Sequence, residues 1–246
     1  MEREVLRLGE ALREERSWEA EGVTVLTASV TLPQAEGESR AARRFNRCYR
    51  RFCRAYFAYC AHILAPSAAG AFCAARETSA PWEPARAKLD HRVSLRAGAV
   101  CSVVCDAQET MYGVPSFRVR RGDVWDMGAG LPMALGEFFP PRTRCSHALL
   151  RFARDEALRR VGDGAAYRAN WRAMLRRALD TRSFYLTDEG LCFFYPLCAL
   201  AGAKEGIVTF TMPWDAEAGP FPPEQVSRGS ADTPRCTAAA PTRRRG

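Results

Sequence analysis

Histidine and lysine are scarce in this 246-residue chain. It holds three histidines, His62, His91 and His147, and only Lys88 and Lys204 among its 36 basic residues. No His-x-x-x-His, His-Glu-x-x-His or Cys-x-x-Cys spacing occurs, which removes the usual zinc and thioredoxin-like readings, so no metal is expected. No Gly-x-Ser-x-Gly elbow, Walker loop or dinucleotide glycine pattern follows a strand, and neither a catalytic residue nor a cofactor is expected. Cys145 and His147 are near neighbours, but positions two apart in a helix do not face each other. Asp123 and Asp126 read as loop acids or an Asx turn before they read as an acid–base pair. No uninterrupted apolar run approaches the length of a membrane span. Residues 1–22 contain no apolar signal-like core, so as it stands the chain is expected to be cytoplasmic; a missing N-terminal signal would instead make it extracellular or membrane-anchored.

Arginine dominates what is present. It supplies nearly all of the net charge of +8 and the isoelectric point near 9.1. Its planar fork suits phosphate and carboxylate, although GC-rich coding also replaces lysine by arginine without a functional cause. Arg40, Arg43, Arg44, Arg47, Arg51 and Arg54 recur at three- and four-residue steps in one segment, opposite Phe45, Cys48, Phe52, Tyr56, Tyr59 and Ile63. Stacked like charges oppose the helix they sit on. The face is therefore either a solvated one relieved by tertiary carboxylates or a docking surface for an anion. The ten cysteines lack the spacing of a disulfide framework, and most of them read as small buried hydrophobes.

Along the chain, residues 1–22 read as a charged leader helix, with Val5, Leu8 and Leu12 at helical spacing and Gly22 as its end. Alternation from Val23 to Leu32 predicts a strand, and Ser39 is a plausible N-cap for a long helix to about Leu64. Strands follow between Lys88 and Asp106, with Val100–Cys105 apolar enough to be central, and from Ser116 to Trp125. Helices are predicted at about 146–160 and 166–179, and a hairpin over Ser183–Tyr195 turns at Thr187-Asp-Glu-Gly190. A last strand ends at Pro213. Residues 215–246, rich in Pro, Gly and Arg, read as a disordered tail. The fold class is α+β: an antiparallel β-sheet packed against a long N-terminal helix and a C-terminal helix pair, as a single domain over residues 23–214. Phe52, Tyr56, Val103, Phe138, Phe184, Phe194 and Phe210 are expected to share one core.

One order of short motifs resembles a known family. Trp125-Asp126, Gly130, Leu135 and Phe138-Phe139 precede Phe184, Leu186, Thr187, Gly190, Leu191 and Phe194, with Leu200-Ala201 and Gly206 leading into the last strand. This order resembles the domain of unknown function 3298 family, found as the extracellular domain of lysozyme-sensing anti-sigma factors and beside some peptidoglycan deacetylases. The chain departs from it where Tyr112 is followed by Gly113-Val-Pro115 instead of a histidine-bearing stretch, and where Cys198 and Gly202 stand in the late loop. The resemblance implies a non-enzymatic recognition or sensor module for a protein or cell-wall ligand, with contacts expected from Tyr112, Trp125, Asp126, Leu197 and Lys204. The alternative is a cytosolic protein that binds an anion or nucleic acid through Arg40, Arg43, Arg47, Arg51 and Arg54. Oligomeric state is not legible.

Overall fold

In the computed structural model, residues 5–111, 113–214 and 219–226 are described. Strands β1 (Leu12–Ala20) and β2 (Val23–Leu32) form an antiparallel hairpin. Its two-residue turn, Glu21-Gly22, has φ of 50° and 75°, the left-handed conformation whose twist suits a tight hairpin. The expected leader helix is therefore corrected. Leu12, Trp18 and Ala20 alternate toward the core, and pairing with β2 wins over the weak helical spacing of Val5, Leu8 and Leu12.

Ser39 caps α1 (Arg40–Tyr59), its hydroxyl accepting from the Ala42 amide at 3.1 Å. The helix passes through a π-helical turn, Cys60–Leu64, into α2 (Ala65–Thr78). That turn adds a residue per cycle and shifts the apolar seam. The buried line runs through Phe45, Tyr49, Cys53, Phe57 and Leu64. Phe52 and Tyr59 are only half-buried, and Ile63, expected on the inner face, is 57% exposed. Arg40–Thr78 forms one continuous helix of 39 residues, with a stretch of mean hydropathy 1.3. By length and composition it would fit a membrane, which corrects the expectation that nothing approached that length. Here its inner face is core.

The helix carries the chain to β3 (Ala85–Ala97), which runs parallel to β2. β4 (Val100–Met111) and β5 (Val114–Asp126) continue antiparallel, and the two-residue β6 (Leu131–Pro132) pairs only with Trp125 and Asp126. The six-stranded order is β1-β2-β3-β4-β5-β6. On the central β4, Cys101, Val103 and Cys105 face the helix, while Val100, Ser102 and Val104 face a second layer.

That layer comprises α3 (Cys145–Gly162), α4 (Trp171–Arg177) and an antiparallel sheet of β7 (Phe184–Leu186), β8 (Gly190–Phe194) and β9 (Thr209–Pro213). The buried Ser102 hydroxyl ties the sheets together, accepting from the Leu186 amide at 2.8 Å and lying 2.9 Å from Ser94 Oγ. The α+β class holds, but the one expected core becomes three clusters. Tyr56 and Val103 lie under α1; Phe138, Phe184 and Phe210 lie in the second layer, and Phe194 joins Val104, Tyr185 and Cys192 between the sheets. Two large faces of one sheet must both be covered, and a single cluster cannot do that. The tail is corrected in part: Pro220 and Pro223 are buried, and the Phe221 amide donates to the Phe138 carbonyl at 2.6 Å.

Candidate binding surface

Seven arginines line the outside of α1: Arg40, Arg43, Arg44, Arg47, Arg50, Arg51 and Arg54, all exposed. The first turn holds no acidic residue, so Arg40 and Arg43 sit at the positive end of the helix dipole as well as beside one another. Among the described residues none of the seven forms an ion pair. Their two hydrogen bonds are to backbone, Arg43 Nη1 to the Glu38 carbonyl at 2.6 Å and Arg44 Nη1 to the Ala129 carbonyl at 3.4 Å.

A 3.6-residue period splits the seven into two rows. Arg43, Arg47, Arg50 and Arg54 line an open cleft of about 970 Å³, with Leu12, Glu14, Gly37, Glu38 and Asn46 as its other walls. Asn46 fixes the far wall: its Nδ2 donates to the Ala35 carbonyl at 2.9 Å and its Oδ1 accepts from the Ala35 amide at 2.7 Å. Four guanidinium groups thus face a concavity holding two carboxylates, those of Glu14 and Glu38. Arg40, Arg44 and Arg51, from the other row, do not line it. Arg50 was absent from the expected set, yet its spacing from Arg43, Arg47 and Arg54 made it readable. The opposing walls could not be read, because Leu12 and Glu14 come from β1 and Gly37 and Glu38 from the loop before α1.

The other predicted surface loses its aromatic anchor. Trp125 is buried, its Nε1 donating to the Tyr49 hydroxyl at 3.0 Å and its ring 4.8 Å from Phe45, so it is a core residue and offers no anchor to a ligand. Asp126 folds its own loop, with Oδ1 accepting from the Gly128 and Ala129 amides at 2.9 and 3.0 Å. Leu197 is half-buried after β8, and Lys204 is exposed in a short turn before β9; both belong to the second layer. Tyr112 lies outside the described residues.

Groups that could do chemistry are dispersed. Burial pushes the Cys53, Cys60 and Cys101 thiols up to about 11, which keeps them protonated at neutral pH. Cys145 is also raised by burial, and His147 is exposed beside it. Asp123 is held by Arg121, with Nη2 at 2.9 Å, and faces the Tyr49 hydroxyl. Among the described residues no three His, Cys, Asp or Glu side chains gather as metal ligands.

The comparisons bear on the second layer. A family model described as a protein of unknown function, DUF3298, matches residues 137–215, from the turn at Phe138 to the end of β9. Two solved structures share the fold. A DUF3298 member from Bacteroides fragilis is 12% identical with a TM-score of 0.59, covering 85% of this chain and 91% of that one. A DUF3298 protein from Pseudomonas aeruginosa is 13% identical, also at 0.59, covering 90% and 96%. No curated protein matches the chain. At such identities the likeness is one of fold.

Proposed function

We propose that the protein is a non-enzymatic recognition module, of the sensor kind that the resemblance implies, and that it captures an acidic protein partner on the arginine face of α1. The observation that carries this is the row Arg43, Arg47, Arg50 and Arg54, solvent-facing and without ion pairs among the described residues, along a cleft with a fixed wall. Like charges at helical spacing oppose folding by a few tenths of a kcal/mol per pair. An acidic surface relieves that opposition on binding, and bidentate guanidinium–carboxylate contact gives it direction. Within the loop set of Tyr112, Trp125, Asp126, Leu197 and Lys204, Trp125 offers no anchor because it is core, so the arginine face is the stronger candidate. Raised thiol pKa values and dispersed histidines support the non-enzymatic reading.

The test replaces Arg43, Arg47 and Arg54 together by glutamine and measures binding of fluorescein-labelled poly-glutamate and of single-stranded DNA across a salt series. The poly-glutamate complex should weaken with salt and disappear in the triple variant while the melting temperature holds. Retained binding in the variant overturns the assignment. DNA bound more tightly than poly-glutamate, with affinity falling about fiftyfold between 50 and 200 mM salt as for roughly four neutralised phosphates on a single strand, moves the partner to nucleic acid. Cell fractionation then decides between a cytoplasmic partner and a surface or cell-wall ligand.

A further inference from the structure

Among the described residues the outer edge of β5 is open. β4 pairs with β5 along its length, but β6 reaches only Trp125 and Asp126 on the other side. Among the described residues no strand pairs with Val114–Asp123 there. The Val124 carbonyl points to that side, since it accepts from the Met133 amide at 2.7 Å. Strand alternation then turns the N–H and C=O of Arg118, Arg120 and Gly122 toward the same open side, as donors and acceptors for a further strand.

The two faces along this edge differ. Phe117 and Val119, 46% and 43% exposed, stand on the helix side opposite Glu109 and Ala107. Arg118 and Arg120 stand on the other face, opposite Gln108 and Asp106. Arg120 is committed to Asp106 at 2.8 and 2.9 Å, while Arg118 makes only a 3.4 Å contact with Gln108. Arg121 follows on the helix side, stacked over Phe52 at 4.8 Å.

We infer that this edge docks an extended segment of a partner protein that alternates acidic and apolar side chains, added as a further antiparallel or parallel strand. A second copy of this chain is the poorer occupant. Two-fold antiparallel pairing of β5 with itself keeps opposed residues on one face. Registers centred on 118, 119 or 120 therefore set Arg118 against Arg118, Arg118 against Arg120, or Arg120 against Arg120. Like charges directly opposed destabilise a strand pair. Arg118 thus protects the edge from self-association while selecting a carboxylate on one face, and Phe117 and Val119 select apolar side chains on the other. This site is separate from the α1 cleft and uses backbone pairing, which the cleft does not.

The probe is a fluorescein-labelled peptide alternating glutamate and valine. Its controls are a block peptide of equal composition and the alternating peptide N-methylated at every second residue. The alternating peptide should bind, and the block and methylated peptides at least about tenfold more weakly, a loss of ~1.4 kcal/mol. Arg118→Glu and Val119→Glu, both at exposed positions, should each weaken binding by a similar factor, while the triple arginine variant of α1 should leave it unchanged. Equal binding of the block or methylated peptide overturns the strand-addition mode. Loss in the α1 triple variant moves the peptide to the cleft and overturns the edge site. Sedimentation of the protein alone showing a dimer that the peptide dissociates makes the second copy the occupant and overturns the acidic segment.

Discussion

Trp125 shows how a residue's surroundings decide its role. On sequence it is an aromatic at a strand end, suited to a ligand; in the structure its indole N–H, buried, has the Tyr49 hydroxyl as acceptor at 3.0 Å. Tyr49→Phe should leave that donor without a partner and cost about 1–3 kcal/mol, read by urea denaturation. An unchanged midpoint would show that the indole finds another acceptor. Glu156 is a second case at this scale. Its oxygens meet Arg159 Nη2 at 2.7 Å and Arg160 Nε at 2.8 Å, and the Arg159 hydrogen bond is the largest cause of a carboxyl pKa lowered from 4.5 to about 2. A folded pKa below the unfolded one means stabilisation that is complete above pH 4.5 and is lost as the pH falls toward 2. Glu156→Gln should therefore flatten the decline of stability over that window; acid unfolding profiles that stay parallel would rule the pair out as a contributor.

Elements are positioned by contacts that no single element announces. β5 and β7 cross so closely that a Cβ on Gly122 would lie 1.9 Å from the Phe184 carbonyl oxygen. Gly122→Ala should force the two sheets apart at a cost of about 3 kcal/mol or more, seen as a lower denaturant midpoint. A silent substitution would mean that the crossing is looser than described. The long helix teaches the same lesson. Its cap at Ser39 and its arginine rows follow from local sequence, whereas the π turn at Cys60–Leu64 does not, and it moves Leu64 inward and Ile63 outward. The arginine triple variant belongs here too: it should remove polyanion binding and keep the fold, because each replaced side chain lies on the exposed face of α1.

At the scale of the molecule, one sheet is covered on both faces, and the C-terminal segment closes part of the second core. Val226 packs against that core, and Phe221 bonds to the Phe138 carbonyl. Truncation after Trp214 should therefore cost about 1–2 kcal/mol and lower the melting temperature by ~2–8 °C, measured calorimetrically. An unchanged melting temperature would show the docking of 219–226 to be energetically empty.

Local sequence determined the strands at 23–32 and 184–213, the Ser39 cap and the arginine row, because each depends on a period or a turn contained within a few residues. Tertiary structure decided the rest. Leu12–Ala20 became a strand because β2 offered it a ladder, Trp125 became core because α1 lies over it, and the arginines acquired a cleft because Asn46 holds a loop beside them. Those outcomes turn on contacts between residues distant in the chain, whose energies outweigh the few tenths of a kcal/mol by which local propensity prefers one conformation to another.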